Sequence, residues 1–368
     1  MSTLRVGLHV GQLFQPVPGG IGTYVRELWD ALPSDAVTVQ PFAAGVPSES
    51  TNAAVIDLGW PRGALRYEAW IRFRRPALPL DVEIVHGPSL AVPPARVRAG
   101  EVPLVITVHD VAFLRHPEYF TPRGVRFHER GLALAQKSAA MIVTPSEFTR
   151  TELIREGFAT SRVVAIPHGI TPQRTANSEP QRQTLDRFGI TAPYFLIVGT
   201  IEPRKGHRLA VDAITRLRRA HPEVQLVIAG PRGWNAVAGL DQPGVTYLGA
   251  VDPNTLDALY HHAIACLVPS QYEGFGLPAL EAMAHGCAVI ASNTTSLPEV
   301  TGEAGLSVDP NDVNAWTDAM TQLLEQPHTR EALRTAGRSR AADFRWETSA
   351  RAHHQVYKQA AGRSSVTP

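Results

Sequence analysis

Short apolar runs alternate with longer stretches of helical period along this chain. The first run covers residues 4–10, a Gly/Pro-rich loop follows over 16–22, and a helix is predicted from about 23 to 32. Further apolar runs fall at 37–42, 82–86, 104–109 and 141–144, with helical stretches at 123–138 and 146–156. A Thr/Pro/Ser/Asn/Gln-rich segment, 171–183, interrupts the pattern and is the candidate linker. The alternation then resumes. Strands are predicted at 194–199, 225–229, 245–248, 265–269 and 288–292, and helices at 207–221, 253–263 and, in the tail, 345–361. Strand followed by helix, repeated, predicts a parallel sheet in each half.

Length and composition narrow this further. A chain of 368 residues is expected to hold two domains. With 44% apolar and 19% charged residues it reads as globular and water-soluble. The 35 basic and 34 acidic residues leave a formal charge of +1, so no global field draws nucleic acid, and no nucleic-acid motif is present. Cys266 and Cys287 sit in apolar contexts and read as buried, reduced thiols. No apolar run approaches the roughly 18 residues of a membrane span. The N-terminus lacks the layout of a signal peptide, so a cytoplasmic protein is expected.

The segment richest in chemistry is Glu273-Gly274-Phe275-Gly276-Leu277-Pro278-Ala279-Leu280-Glu281. It reads as strand, glycine turn and helix, with Pro278 suited to the first helical turn. Bare N–H groups at such a turn suit hydroxyl and phosphate oxygens. Ionised carboxylates only accept hydrogen bonds, so Glu273 and Glu281 suit sugar hydroxyls. A polyol carrying a phosphate is the ligand class this pattern describes.

This segment resembles the E-x7-E signature of the retaining glycosyltransferases of family 4. The resemblance runs in order through Pro18-Gly19-Gly20-Ile21-Gly22-Thr23-Tyr24, Val108-His109-Asp110, Thr144-Pro145-Ser146-Glu147-Phe148, Ile166-Pro167-His168-Gly169-Ile170, Val198 to Gly206 and Val227 to Gly230. The wording Gly-Thr-Ile-Glu-Pro-Arg-Lys and the run Phe113 to Glu118 are most similar to bacterial mannosyltransferases of polysaccharide and glycolipid assembly. The resemblance implies an α/β protein of the GT-B fold, with two doubly wound, Rossmann-like parallel-sheet domains facing a central cleft. The expected domains are 1–172 for the acceptor and 184–344 for the nucleotide sugar. A C-terminal helix, 345–368, is expected to cross back to the first domain.

It further implies the transfer of a hexose, mannose from GDP-mannose, to a saccharide or glycolipid acceptor. Arg204 and Lys205 follow a strand and would stabilise the diphosphate as its charge grows. Many relatives carry Arg where this chain has Thr200, so Arg204 is assigned that charge here. Gly19, Gly20 and Ile21 would offer backbone N–H groups to the phosphates. His109 would contact the donor sugar and stabilise developing positive charge through its backbone carbonyl. Asp110 would orient that loop or meet acceptor hydroxyls. Glu273, with the backbone of Gly274, Phe275, Gly276 and Leu277, would hold the transferred sugar, and Glu281 the ribose. Glu299 is read as a supporting or capping residue. No Asp-x-Asp motif is present, so no metal and no cofactor are required. The two carboxylates lie in one segment and do not flank a scissile bond as in a glycosidase. Front-face substitution with retention is the implied course.

Residues 60–75 combine Arg62, Arg66, Arg72, Arg74 and Arg75 with Trp60, Tyr67, Trp70 and Phe73. Such a helix either packs its aromatics inward or lies on anionic lipid, which would give peripheral membrane contact. Three alternatives to the main reading stand beside it. They are a UDP- or ADP-sugar donor, an inactive nucleotide-sugar-binding module, and a phosphorylase; the last would need a cofactor lysine, and only Lys137, Lys205 and Lys358 occur.

Overall fold

The computed structural model describes residues 3–46, 54–59, 63–171, 178–191, 193–233 and 240–364. It divides into two compact units, 1–169 with 345–368 and 170–344. In the first unit the strands are β1 (Leu4–His9), β2 (Val37–Ala43), β3 (Ile56–Asp57), β4 (Ile84–Gly87), a small hairpin of β5 (Arg96–Val97) and β6 (Gly100–Glu101), then β7 (Leu104–Thr107), β8 (Met141–Thr144) and β9 (Val163–Ala165). The main sheet is parallel, in the order β3-β2-β1-β4-β7-β8-β9. In the second unit β10 (Tyr194–Val198), β11 (Gln225–Ala229), β12 (Val245–Gly249), β13 (Cys266–Val268), β14 (Val289–Ser292) and β15 (Leu306–Val308) form a parallel sheet ordered β12-β11-β10-β13-β14-β15.

Both orders are doubly wound. The chain moves outward from β1 or β10 in one direction and then reverses, which opens a switch point beside that strand. Inner strands are fully buried runs such as Leu-Val-Ile-Thr and Met-Ile-Val-Thr, as a sheet covered on both faces requires. Some helices start where polar side chains satisfy the free N–H groups of the first turn. Ser146 accepts from the Thr149 N–H, and Asp252 from those of Asn254 and Thr255.

The C-terminal helix, Trp346–Ser364, belongs to the first unit, where Trp346, Val356 and Tyr357 join the core around Val6, Leu8 and Tyr24. Its start presses on Gly169, where a Cβ would lie 2.2 Å from the Trp346 nitrogen. Only glycine allows that approach.

Several boundaries differ from the sequence reading. The first helix begins at Gly19 rather than near residue 23, because the Gly22 N–H already reaches the Pro18 carbonyl. Strand β7 ends at Thr107, so His109 lies two residues beyond it. The segment 171–183 is not all connector, since Ser178–Asp186 is helical; residues 172–177 lie outside the described residues. Short strands β3, β9 and β15 and the helices Val313–Glu325 and Pro327–Ala341 were not anticipated. Cys266 and Cys287 are free and buried, and burial pushes the Cys287 thiol up to about 12.

Candidate functional site

In the second unit, the loops after β10 and β13 flank the switch point and bring the acidic and basic residues together. The 3-10 turn Pro203–Lys205 follows β10 and closes with Gly206 at φ 70°. A Cβ on Gly206 would lie 1.9 Å from the Pro269 carbonyl oxygen, so glycine is what lets the turn dock on the loop after β13. The Gln271 N–H then bonds the Arg204 carbonyl at 2.8 Å, locking one loop to the other.

Across this junction Lys205 Nζ sits 2.6 Å from Glu273 Oε1, and Arg204 Nη1 lies 3.5 Å from Oε2. Ser270 donates to Glu273 Oε1 at 2.7 Å. Burial pushes the Glu273 carboxyl up, but the charges of Lys205 and then Arg204 outweigh it and hold the group below its usual range. Arg204 is shared, because its Nη2 also meets Glu202 Oε1 at 2.8 Å. Two cations and two carboxylates therefore balance. The cations read from the sequence as free for phosphate are already paired.

The turn after Glu273 is fixed from β14. Thr295, at φ 57°, accepts the Glu273 N–H through Oγ1 at 3.1 Å, and Ser296 Oγ donates to the carbonyls of Glu273 and Phe275. Gly274, Phe275 and Gly276 are buried, and Leu277 opens the helix Leu277–Ala284. Glu281, one turn into that helix, is half-buried and receives the Tyr260 hydroxyl on Oε2 at 3.2 Å. Loss of solvent raises its carboxyl to about 7. Glu299 is exposed in the first turn of the short helix Leu297–Thr301, and its carbonyl accepts from Arg340.

In the first unit, Gly19 and Gly20 are exposed and Ile21 is half-buried in the first turn of the helix Gly19–Ala31, where N–H groups lack helical partners. Gln12 braces this start by donating to the Pro18 carbonyl. His109 follows β7 and donates from Nε2 to the Pro88 carbonyl, 2.9 Å away in the loop after β4. Burial lowers its pKa, so the ring is neutral at pH 7. Its own carbonyl receives the Thr149 hydroxyl at 3.4 Å, which leaves one lone pair. Asp110 accepts the Ala112 N–H at 3.1 Å and so shapes the loop.

Glu202, Tyr260, Ser270, Thr295 and Ser296 had no place in the sequence reading. Glu202 stood inside the Gly-Thr-Ile-Glu-Pro-Arg-Lys wording, and only its burial beside Arg204 shows what it touches. Among the described residues no group of three or more His, Cys, Asp or Glu is arranged to hold a metal ion.

Two doubly wound units carry a paired Lys–Glu–Arg cluster at the carboxyl end of the second sheet, and comparison with known proteins identifies them as a glycosyltransferase of the GT-B fold. Residues 18–174 match the model of Glycosyltransferase Family 4, and residues 186–340 that of Glycosyl transferases group 1. An O-antigen chain mannosyltransferase B of Escherichia coli is 36% identical over 75% of this chain and 74% of its own length. A glycogen synthase of Mycobacterium tuberculosis is 34% identical over 70% of this chain and 63% of its own length. Among solved structures, sucrose-phosphate synthase from Thermosynechococcus elongatus superposes with a TM-score of 0.71 at 20% identity, covering 97% of this chain and 98% of that one. WaaG, a glycosyltransferase involved in lipopolysaccharide biosynthesis, gives 0.70 at 16% identity over 95% and 99%. The chain belongs to glycosyltransferase family 4.

Proposed function

We propose that this enzyme transfers mannose from GDP-mannose, with retention, to a saccharide or glycolipid acceptor. The observation that carries the reading is the cluster of buried Glu273 with half-buried Lys205 and Arg204. Glu273 is kept ionised by these cations and is set to accept hydroxyls of the transferred sugar. Lys205 and Arg204 lie beside it, where the departing diphosphate gains charge. Glu281 takes the ribose, and the N–H groups of Gly19, Gly20 and Ile21 take phosphate oxygens. The sugar–phosphate bond breaks, the acceptor oxygen bonds the same face of the sugar carbon, and the acceptor's proton passes to the leaving phosphate. The remaining lone pair of the His109 carbonyl faces the charge that develops at that carbon. No metal or cofactor is assigned a role.

Relatives named as an O-antigen chain mannosyltransferase and a serotype-specific mannosyltransferase support mannose. A second reading, a UDP- or ADP-sugar donor, is favoured by a structural neighbour solved with UDP-glucose. A metal-free thermal-shift panel of GDP-mannose, UDP-glucose, UDP-N-acetylglucosamine and ADP-glucose separates them, because a bound donor raises Tm. GDP-mannose alone should do so. A rise with another donor replaces mannose, and no rise with any points to an untested donor, to weak binding that needs the acceptor, or to the inactive-module reading. Lys205→Ala should then lower kcat with little effect on donor KM.

We place the proposed membrane contact on one surface. In the helix Gly63–Phe73, Arg66 and Trp70 are buried, whereas Leu65 and Phe73 are exposed with Arg72 over the Phe73 ring. Trp60 and Arg62 lie outside the described residues. Among the described residues no helix is long and apolar enough to cross a membrane. Peripheral contact through Leu65, Arg72, Phe73 and Arg75 predicts co-sedimentation with anionic liposomes that Phe73→Glu abolishes.

A further inference from the structure

A chain of fully buried polar groups runs through the first unit from the C-terminal helix to the ring that supports His109. Tyr24, His86, Thr107, His353 and Tyr357 are each 0% exposed. They come from the helix Gly19–Ala31, from β4, from β7 and from the C-terminal helix.

Its direction follows from one end. His353 Nδ1 lies 2.8 Å from the Ser349 carbonyl, which can only accept, so Nδ1 carries the proton. With the imidazole neutral, Nε2 accepts, and the Tyr24 hydroxyl 2.8 Å away donates to it. Tyr24 has then spent its proton, so Thr107, at 2.8 Å, donates to the Tyr24 oxygen. Thr107 in turn accepts from His86 Nε2–H at 2.9 Å, which leaves His86 Nδ1 to accept the Tyr357 hydroxyl at 2.8 Å. Every hydroxyl and ring nitrogen in the chain has a partner, and only this one arrangement of protons provides it. Both histidines must be neutral. Burial lowers both, His353 to about 4. Such a chain leaves the Tyr24 ring no freedom to turn.

The Tyr24 ring is also the wall behind His109. It meets the His109 imidazole edge-on with centroids 5.1 Å apart, and His168 packs on both rings at 4.8 and 5.5 Å. With Pro88 on Nε2, this wall fixes the plane of the His109 ring and, through it, the aim of its carbonyl.

We infer that Tyr24 and His353 are positioning residues for His109, the C-terminal helix serving to hold the Tyr24 ring in place. This rests on the role proposed for His109. Tyr24→Phe keeps the ring and removes the hydroxyl. GDP release from GDP-mannose should show kcat lowered about tenfold with donor KM within about twofold, because the reacting geometry and not the donor contacts is disturbed. His353→Ala should match it, and the double variant should be no worse than either, since both cut one chain. His353→Gln, which can still accept the Tyr24 proton, should recover most of the rate. A loss of kcat that simply follows the fall in Tm across these variants, or full additivity, overturns the inference. His109→Ala separates the two layers. If it lowers kcat while Tyr24→Phe does not, only the link from Tyr24 fails; if His109→Ala is as active as the parent, the ring does not aim the carbonyl and the positioning inference fails, while the carbonyl role, whose atom the variant keeps, stands. Imidazole 15N spectra of the free protein give a reading without turnover. His353 should be the Nδ1–H tautomer and His86 and His109 the Nε2–H tautomer, with the His109 signal shifted in Tyr24→Phe. Other tautomers, or an unmoved His109 signal, refute the chain.

Discussion

At the scale of single residues, the cluster of Lys205, Glu273, Arg204 and Glu202 is neutral as a whole, and that sets what substitutions do. Glu273→Gln should cut kcat by about a hundredfold or more, as losing one preorganised contact to the transition state does elsewhere. The same change frees Lys205 from its 2.6 Å partner, so the donor should bind as tightly as before or more so. Isothermal titration with the donor decides this, and a weakened Kd would mean that Glu273, not the cations, carries donor affinity. Glu281 makes a second forecast. Its carboxyl is raised to about 7 by burial, and only the ionised form can accept two ribose hydroxyls. Donor affinity should therefore weaken as pH falls through 7, by about tenfold from pH 8 to pH 6 for one proton. In Glu281→Gln the dependence should vanish. A parent profile that is flat over this range removes Glu281 from the ribose.

At the scale of elements, position follows from the two switch points, and one glycine tests how closely. Gly206→Ala adds a Cβ into the Pro269 carbonyl and strains a left-handed φ, so the turn bearing Arg204 and Lys205 must move. We expect a loss of about 2–4 kcal/mol in the stability of the second unit, with activity lost beyond what unfolding explains. Denaturant titration beside kinetics reads both, and an Ala variant of parental stability would mean the two loops are not docked as described. This junction also shows what the sequence can carry. The long apolar strands and the glycine turn at 274–276 are local features, and their spacing announced them. The pairing of Arg204 with Glu273 is not local, since partners 69 residues apart meet only once β10 and β13 lie side by side. The same holds for Thr295 against Glu273 and for His353 against Tyr24. Two- and three-residue strands such as β3 and β15 were missed because too few apolar positions mark them, and pairing with a neighbour is what makes them strands.

At the scale of the whole molecule, the near-zero net charge hides an uneven burial of titratable groups, and acid should expose it. His9 and His353 in the first unit and His207 in the second are lowered by burial to about 4, and His86 and His168 fall well below their usual value. An unfolded histidine takes up its proton near pH 6.5, whereas these take it up only near 4. Between those values unfolding binds protons, so stability that is fully present above about pH 6.5 is lost as pH falls toward 4. Each such group contributes on the order of 1 kcal/mol of loss by pH 5.5. Glu281 works in the opposite sense. Its folded pKa is raised to about 7, so its neutral form favours the fold at low pH, and that benefit fades as pH rises from its ordinary 4.5 toward 7. One such carboxyl in the second unit partly offsets His207 and His285, while His9, His86, His109, His128, His168, His353 and His354 are all lowered in the first unit. Calorimetry at pH 7.5 and 5.5 should therefore show the first unit losing Tm by several degrees more than the second. His9→Phe is the check on cause. The His9 Nε2 has no hydrogen-bond partner among the described residues, and its ring packs against Phe42, Tyr67 and Trp70, so an apolar ring should be accepted there. That variant should keep more of its Tm at pH 5.5 than the parent keeps. Equal acid losses in parent and variant would mean that His9 is already protonated in the fold, and that the first unit is held together by something other than its neutral histidines.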